Sequence, residues 1–261
     1  MTATHTIGLV GFGRICRALY DYVEADPDFE LAWALVRSEK DGLPAEKQLT
    51  DPAALADRPV DLVVEGATPE ALDDLHEHLL AAGDLMVLSG SAFADPGVEE
   101  RIVDAAAERD ADVYLPHAAL FGIDGLVDAR SELTEVSITA TKAPDHLDFD
   151  YTDEVSPEDV EGRTVLYEGP VRGLCRMFPR NFNSHAGVAL ASLGLDETTS
   201  KLIADPDADS AHHLIEAGGE GFDLEVVRDS AIEGVTGDYT LVSIWGSMRR
   251  VLDADEGLKF V

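Results

Sequence analysis

The sequence predicts an α/β fold, a parallel doubly wound sheet followed by a smaller α+β unit, and three observations carry that prediction. Short apolar runs alternate with amphipathic helical stretches from Ile7 to about residue 115, and the runs lack the polar alternation of half-exposed strands. The first run, Ile7 to Val10, enters a Gly11-x-Gly13 turn and leaves through a helix-compatible segment carrying Ile15, Ala18, Leu19, Tyr22 and Val23. Beyond Leu115 the alternation stops, and strands of alternating polarity such as Glu135 to Lys142 follow.

Taken in order, Gly11 and Gly13 let the backbone turn tightly and approach a pyrophosphate, whose charge then meets free N–H groups at the helix start, Arg14 and Ile15. With the strand before and the helix after, this is the fingerprint of a Rossmann dinucleotide-binding domain. Cys16 holds the third fingerprint position, where a small residue packs helix on strand. Phe29 to Val36 is a second strand. At its end, about 20 residues past the glycines, NAD-preferring domains present Asp or Glu to the ribose. Here Arg37 and Ser38 stand at the tip, a pair suited to a 2′-phosphate, so NADP is favoured. Glu39 can still rotate in, and Arg37 can be one solvated charge, which leaves NAD open.

Val60 to Glu65 is a third strand, and Gly66-Ala67-Thr68-Pro69-Glu70 starts the next helix with Thr68 as N-cap and Pro69 at its first position. The loop holding Ala67 and Thr68 faces the nicotinamide side in this fold class. Leu85 to Leu88 leads into Ser89-Gly90-Ser91, and a helix from Val98 to Glu108 precedes a strand from Val113 to Leu115. His76 and His78 are read as solvated on a polar helix face. In the second half, Pro116 to Gly125 is a small-residue segment, Val165 to Glu168 a strand, and Gly169 to Pro179 helix-like. Leu224 to Arg228 completes this unit. A final helix, Tyr239 to Leu252, has Trp245, Met248 and Val251 at core spacing. The expected domains are 1–118 with 237–261 for the dinucleotide and 119–236 for the substrate.

Charge narrows the function classes. The chain carries 52 acidic and 19 basic side chains, a formal −33, which excludes nucleic acid as a partner. The acids are scattered through regularly patterned sequence, so they form a surface suited to concentrated salt and not a disordered tail. No window is apolar for the ~18 residues of a membrane span, and the N-terminus lacks a basic then apolar leader, so a soluble cytoplasmic protein is expected. Cys16 and Cys175 lie far apart without metal-type spacing, and both are read as small buried residues, with no metal site.

With these residues in view the chain resembles the L-aspartate dehydrogenase family, a branch of homoserine-dehydrogenase-like Rossmann enzymes. Val63 to Ala71 looks like the family's strand–helix joint, Ser89 to Asp95 like the loop that follows, and Pro116 to Asp124 like its Pro-Ser-Gly-Ala segment. Glu168-Gly169, Phe178 to Asn183 and His213-Leu214-Ile215-Glu216 resemble its Glu-Gly, Phe-Pro-Lys-Asn-x-Asn and His-x-Ile-Glu elements. The resemblance implies that Ala119 and Asn183 contact the cofactor and that His213 is the active-site histidine. It also implies NAD(P)-dependent oxidation of L-aspartate to an imine that hydrolyses to oxaloacetate and ammonia, a role in NAD synthesis, and a homodimer. Departures are His117 for a serine, Ser184-His185 for an apolar pair, Ala211-His212-His213 for Asn-x-His, and Glu233-Gly234-Val235-Thr236 for an Asn-Pro-Lys-Thr type element.

Oxidising a C–H beside an amine needs a hydride acceptor, a base for the ammonium proton, and a group that activates water. A histidine, with an ordinary pKa near ~6.5, suits both proton tasks. His213 is the choice by its motif. His212 adjoins it and points the other way if the segment is extended. His117 and His185 are further pocket candidates, each equally readable as a satisfied buried histidine. Arg163, Arg172, Arg176 and Arg180 fall in one short span, with Lys142 at a strand end. Arg176 and Arg180 are candidate ligands for an anionic substrate, although such arginines can equally pair with neighbouring acids on a solvated face. Two other readings stay open: a dehydrogenase of another small carboxylic or sugar acid, and a nucleotide-binding regulatory protein without turnover.

Overall fold

The computed structural model describes residues 4–230 and 237–253, so the segment Glu233 to Thr236 lies outside the described residues. The chain forms two compact units, one of residues 1–89, 97–116 and 241–261, the other of 90–96 and 117–240. No helix among the described residues is long and apolar enough to cross a membrane.

In the first unit the chain runs β1 (His5–Val10), α1 (Arg14–Ala25), β2 (Phe29–Leu35), β3 (Gln48–Leu49), β4 (Leu62–Glu65), α2 (Pro69–Ala82), β5 (Asp84–Val87), α3 (Pro96–Arg109) and β6 (Val113–Tyr114). All neighbouring strands are parallel, in the order β3-β2-β1-β4-β5-β6. Strand order reverses between β1 and β4, and in such sheets ligands bind outside the carboxyl ends at that point. Ile7, Leu9, Leu31, Trp33, Leu62, Val63, Val64 and Leu85 are buried completely, which is why these strands read as apolar runs. Helix α1 buries Cys16, Leu19 and Val23, one stripe at helical spacing. Thr68 caps α2 by accepting the Ala71 N–H at 3.2 Å, with Pro69 following as expected.

His76 departs from the solvated reading. It is buried, with Nδ1 2.6 Å from the Asp73 carbonyl oxygen. Its spacing from Leu72 and Leu79 puts it on the core stripe of α2, where the local bond satisfies its ring. His78 is exposed.

The second unit contains α4 (Ile123–Ala129), β7 (Leu133–Lys142), β8 (Thr164–Pro170), α5 (Val171–Met177), α6 (Asn183–Ala191), β9 (Thr199–Ala204), β10 (Ala211–Gly219) and β11 (Phe222–Ser230). Its mixed sheet has the order β11-β10-β7-β9-β8. The helix expected from Gly169 starts only at Val171, because Gly169 and Pro170 still lie opposite Ser200 and Thr199 in the β8–β9 ladder. One face of this sheet buries Val136, Ile138, Ala140, Leu202, Ala204, Ala211, Ile215 and Ala217. By register, Lys142, Ser200, His213 and Arg228 are the polar residues on that same face, and all four are buried.

Residues 90–96 belong to this unit through named bonds. The Ser91 N–H donates to Asn183 Oδ1 at 3.0 Å, and the Arg172 guanidinium donates to the Ala94 carbonyl at 2.9 Å. The last helix, α7 (Asp238–Val251), buries Ile244 and Met248, while Trp245 is half-buried. Within the first unit Trp245 stacks on Tyr22 with ring centres 5.7 Å apart, and Arg249 pairs with Asp26.

Candidate active site

The first unit supplies a cradle at the carboxyl ends of β1 and β4. Gly11 has φ +86°, a left-handed conformation that favours glycine, and a Cβ there would lie 3.0 Å from the Gly66 carbonyl oxygen. Gly13 is the N-cap of α1, without a side-chain cap and without a carboxylate in the first turn, so the uncapped N–H groups face no competing charge. Arg14 and Ile15 are half-buried in that turn. These residues fit a dinucleotide pyrophosphate. Cys16 is accommodated by a glycine opposite: a Cβ on Gly66 would sit 2.6 Å from its sulfur. Cys16 and Cys175 are free and buried, and burial pushes both thiols up to about 12, which makes them packing residues and not nucleophiles.

Beneath the cradle lies Glu65, a residue the sequence reading placed only in a strand. Its carboxylate is fully buried and accepts the Ala67 N–H at 2.8 Å, the Ser89 N–H at 3.0 Å and the Ser89 hydroxyl at 2.9 Å. Burial pushes its pKa up, opposed by those N–H and O–H donors. Two loops expected to touch the cofactor, after β4 and after β5, are thus fastened to one side chain. The readable signal was an acid ending an otherwise apolar run, Leu62-Val63-Val64-Glu65. Glu65→Ala is expected to leave three donors unsatisfied, cost about 3 kcal/mol of stability and weaken cofactor binding about tenfold. Chemical denaturation and a cofactor titration check this, and an unchanged dissociation constant would remove the fastening role.

At the end of β2, Arg37, Ser38 and Glu39 are all exposed, and Lys40 Nζ lies 3.4 Å from Ser38 Oγ. Gln48 holds this loop by accepting the Lys40 N–H at 2.8 Å and donating to the carbonyls of Lys40 and Leu43. Thr68 is committed to capping α2 and Ser89 to Glu65, so their side chains shape the cradle.

The second unit holds a buried polar group. His213 on β10 is 5% exposed, and among the described residues its Nδ1 has no hydrogen-bond partner. His185 on α6 is fully buried, with Nδ1 2.6 Å from Ser200 Oγ and Nε2 without a partner among the described residues. The two ring centres are 6.2 Å apart. Burial, then the neighbouring positive charge of Lys142, holds His213 well below the ordinary histidine range; burial and then His213 do the same for His185. Both rings are therefore neutral near pH 7, so His213 can accept a proton. Lys142 Nζ donates to the Asn181 carbonyl at 3.3 Å and lies 4.8 Å from the centre of the Phe182 ring.

The other expected residues divide. His212 points away from His213 and pairs with Asp229 at 2.8 Å. Arg176 and Arg180 are exposed, and Arg180 bridges Asp148 at 3.3 Å, so the structure does not bring them into the buried group. Arg163 pairs with Asp205, and Arg172 grips Asp196 with two bonds of 2.7 Å. Three of the four clustered arginines are thus held in ion pairs with acids. Asn183, Ala119 and His117 are half-buried in the second unit, and Asn183 Oδ1 is engaged by Ser91. Ala118, at the glycine position of the resembled Pro-Ser-Gly-Ala segment, has φ +47°, a left-handed geometry that costs a non-glycine residue about 1 kcal/mol.

The family model described as "Homoserine dehydrogenase, NAD binding domain" matches residues 11–116, and that described as "Aspartate dehydrogenase, C-terminal" matches residues 124–251. An L-aspartate dehydrogenase of Nitrosopumilus maritimus is 34% identical over 184 residues, which cover 67% of this chain and 68% of that protein. An aspartate dehydrogenase domain-containing protein of Xenopus tropicalis is 33% identical over 264 residues, 93% of each chain. A crystal structure of aspartate dehydrogenase from Thermotoga maritima is similar with a TM-score of 0.78 at 26% identity, covering 98% of this chain and 99% of that one.

Proposed function

The chain belongs to the aspartate dehydrogenase family of NAD(P)-dependent dehydrogenases, and on that premise we propose that it oxidises the CH–NH2 group of L-aspartate to iminoaspartate, which water converts to oxaloacetate and ammonia. The observation that carries this reading is His213: a buried, neutral histidine with an unpartnered ring nitrogen, on a sheet face that also holds two buried cations. A bound nicotinamide would supply the acceptor for the hydride that leaves the substrate Cα. His213 takes the ammonium proton so that the nitrogen lone pair can form the C=N bond; once the ring has released that proton it takes one from the water that adds to the iminium carbon and passes it to the departing ammonia. The cradle of Gly11, Gly13 and the α1 N-terminus would hold the pyrophosphate, and Glu65 fixes the loops of Ala67 and Ser89.

Formation of reduced nicotinamide, followed by its near-ultraviolet absorbance in molar KCl across amino, hydroxy and sugar acids, tests the substrate. Turnover with L-aspartate above all other compounds is expected. Turnover with a hydroxy acid or sugar acid, and none with L-aspartate, overturns the assignment in favour of another small acid.

For the cofactor, Arg37 with Lys40 beside Ser38 favours the 2′-phosphate of NADP, since no carboxylate of β2 itself reaches the strand tip. Replacing Arg37 and Lys40 together by Ala is expected to weaken NADP+ binding about 10- to 100-fold and to leave NAD+ binding nearly unchanged. Equal losses for both cofactors, measured by fluorescence titration, would count against a phosphate site.

A further inference from the structure

Three residues on adjacent strands share the buried face of the second sheet. Arg228 on β11 lies directly opposite His213 on β10, and Ala140 on β7 lies opposite His213 from the other side. Lys142, two residues beyond Ala140, is therefore diagonal to His213 on the same face. Directly opposed residues hold their Cβ atoms about 5 Å apart and diagonal neighbours stand about 7–8 Å apart, so the two cationic side chains flank the histidine within reach of one small molecule.

Their surroundings are unusual for buried cations. Lys142 meets a carbonyl oxygen and the face of Phe182, and the Arg228 guanidinium lies 5.7 Å from the centre of the Tyr239 ring. Neither forms an ion pair with a carboxylate among the described residues, although acids outnumber bases 52 to 19. Exposed or half-buried Arg163, Arg172, Arg180 and Arg249 all have an acid, yet the two most buried cations do not. Two like charges taken out of water side by side cost free energy unless an anion joins them. The unpartnered Nδ1 of His213 and Nε2 of His185 are buried in the same group, further polar atoms left without protein partners.

We infer that Lys142 and Arg228 determine substrate specificity, each pairing with one carboxylate of a four-carbon dicarboxylate so that the carbon between them is held at His213. The missing counter-ions of the protein are then the two ends of the substrate. This rests on the dehydrogenase reading above for the role of His213, but recognition can be measured without turnover. Burial, with the adjoining Arg228 charge, lowers the Lys142 ammonium to about 8, so dianion binding also acquires a pH dependence. The ammonium is charged below that pH and holds the dianion, and affinity falls as pH rises through it.

Calorimetric titration of the NADPH-saturated protein in molar KCl with succinate and with butyrate, which lacks one carboxylate, tests the inference. Succinate is expected to bind about 100-fold tighter than butyrate. Lys142→Gln and Arg228→Gln are each expected to weaken succinate at least ~30-fold while leaving butyrate within about fivefold, and Lys142→Arg is expected to restore most of the loss. In the unaltered protein succinate affinity should drop about tenfold from pH 7 to pH 9.5. Undiminished preference for succinate in the two Gln variants overturns the assignment, and so does a flat pH dependence, which decides the matter even if a variant fails to fold. Succinate discrimination that depends on Lys142 and Arg228 without oxidation of L-aspartate would sustain this assignment and defeat the reaction proposed above. Aspartate oxidation by a protein whose succinate binding ignores both residues would do the reverse.

Discussion

Replacing His213 by Ala is expected to lower kcat about 1000-fold while cofactor affinity and the melting temperature stay nearly unchanged. The activity loss is what removal of a positioned proton acceptor produces, about 10²- to 10⁴-fold. The near-constancy of stability is the less obvious half. A buried histidine normally contributes through hydrogen bonds, but Nδ1 of His213 has none, and lysine and arginine neighbours oppose its protonation. Its removal deletes an unsatisfied polar atom along with some packing, two changes of opposite sign. A site residue held at the expense of stability is what a functional role predicts. Acid should expose the same tension: below pH ~6.5 the unfolded chain binds protons more readily than His185 and His213 do in the folded state, so stability falls as pH falls. Single-turnover measurements with kcat and KM resolved check the kinetic half. A variant that unfolds would defeat the stability half; one that turns over at the normal rate would remove His213 from the chemistry and redirect attention to His185, since His212 faces the other side of the sheet.

The two halves of the chain were legible to different degrees, for a physical reason. Strands β1, β4 and β5 are covered on both faces, so their apolar runs announce themselves, and Gly11 marks the turn because only glycine readily takes its backbone. Cys16 stands at the third fingerprint position, where the motif has Gly or Ala; the compensating space lies at Gly66, 50 residues away, which no local pattern reveals. Strand β10 was harder. Its buried face reads Ala211, His213, Ile215, Ala217, and the histidine interrupts the alternation that identifies a half-buried strand. The same holds for Lys142 at the end of β7 and Arg228 on β11, where buried charge replaces the expected apolar residue. Those three positions meet only through strand register, across 86 residues of sequence between Lys142 and Arg228. Arg163, Arg172, Arg176 and Arg180 are close in sequence and therefore visible, yet most of them are spent on Asp205, Asp196 and Asp148. Sequence proximity found the surface cations, and sheet pairing was needed to find the buried ones.

Dilution from molar to millimolar KCl is expected to unfold the protein. At about 30 Å in water one pair of unit charges repels by about 0.14 kcal/mol, and a net charge of −33 contains roughly 500 pairs, so the unscreened sum is on the order of 70 kcal/mol. An expanded chain separates the same charges two- to threefold further and releases more than half of that sum, several times the ~5–15 kcal/mol that holds an ordinary fold together. Salt decides how much of this is felt. The screening length is about 3 Å at 1 M and about 30 Å at 0.01 M, so in molar salt only adjacent carboxylates interact, whereas in dilute salt nearly every pair does. Ion pairs cannot substitute for the missing salt, because 19 bases cannot neutralise 52 acids and Lys142 and Arg228 are withheld from pairing altogether among the described residues. Circular dichroism melts between 5 mM and 3 M KCl check the expectation, and an unchanged midpoint across that range would show that the acidic surface does not depend on salt.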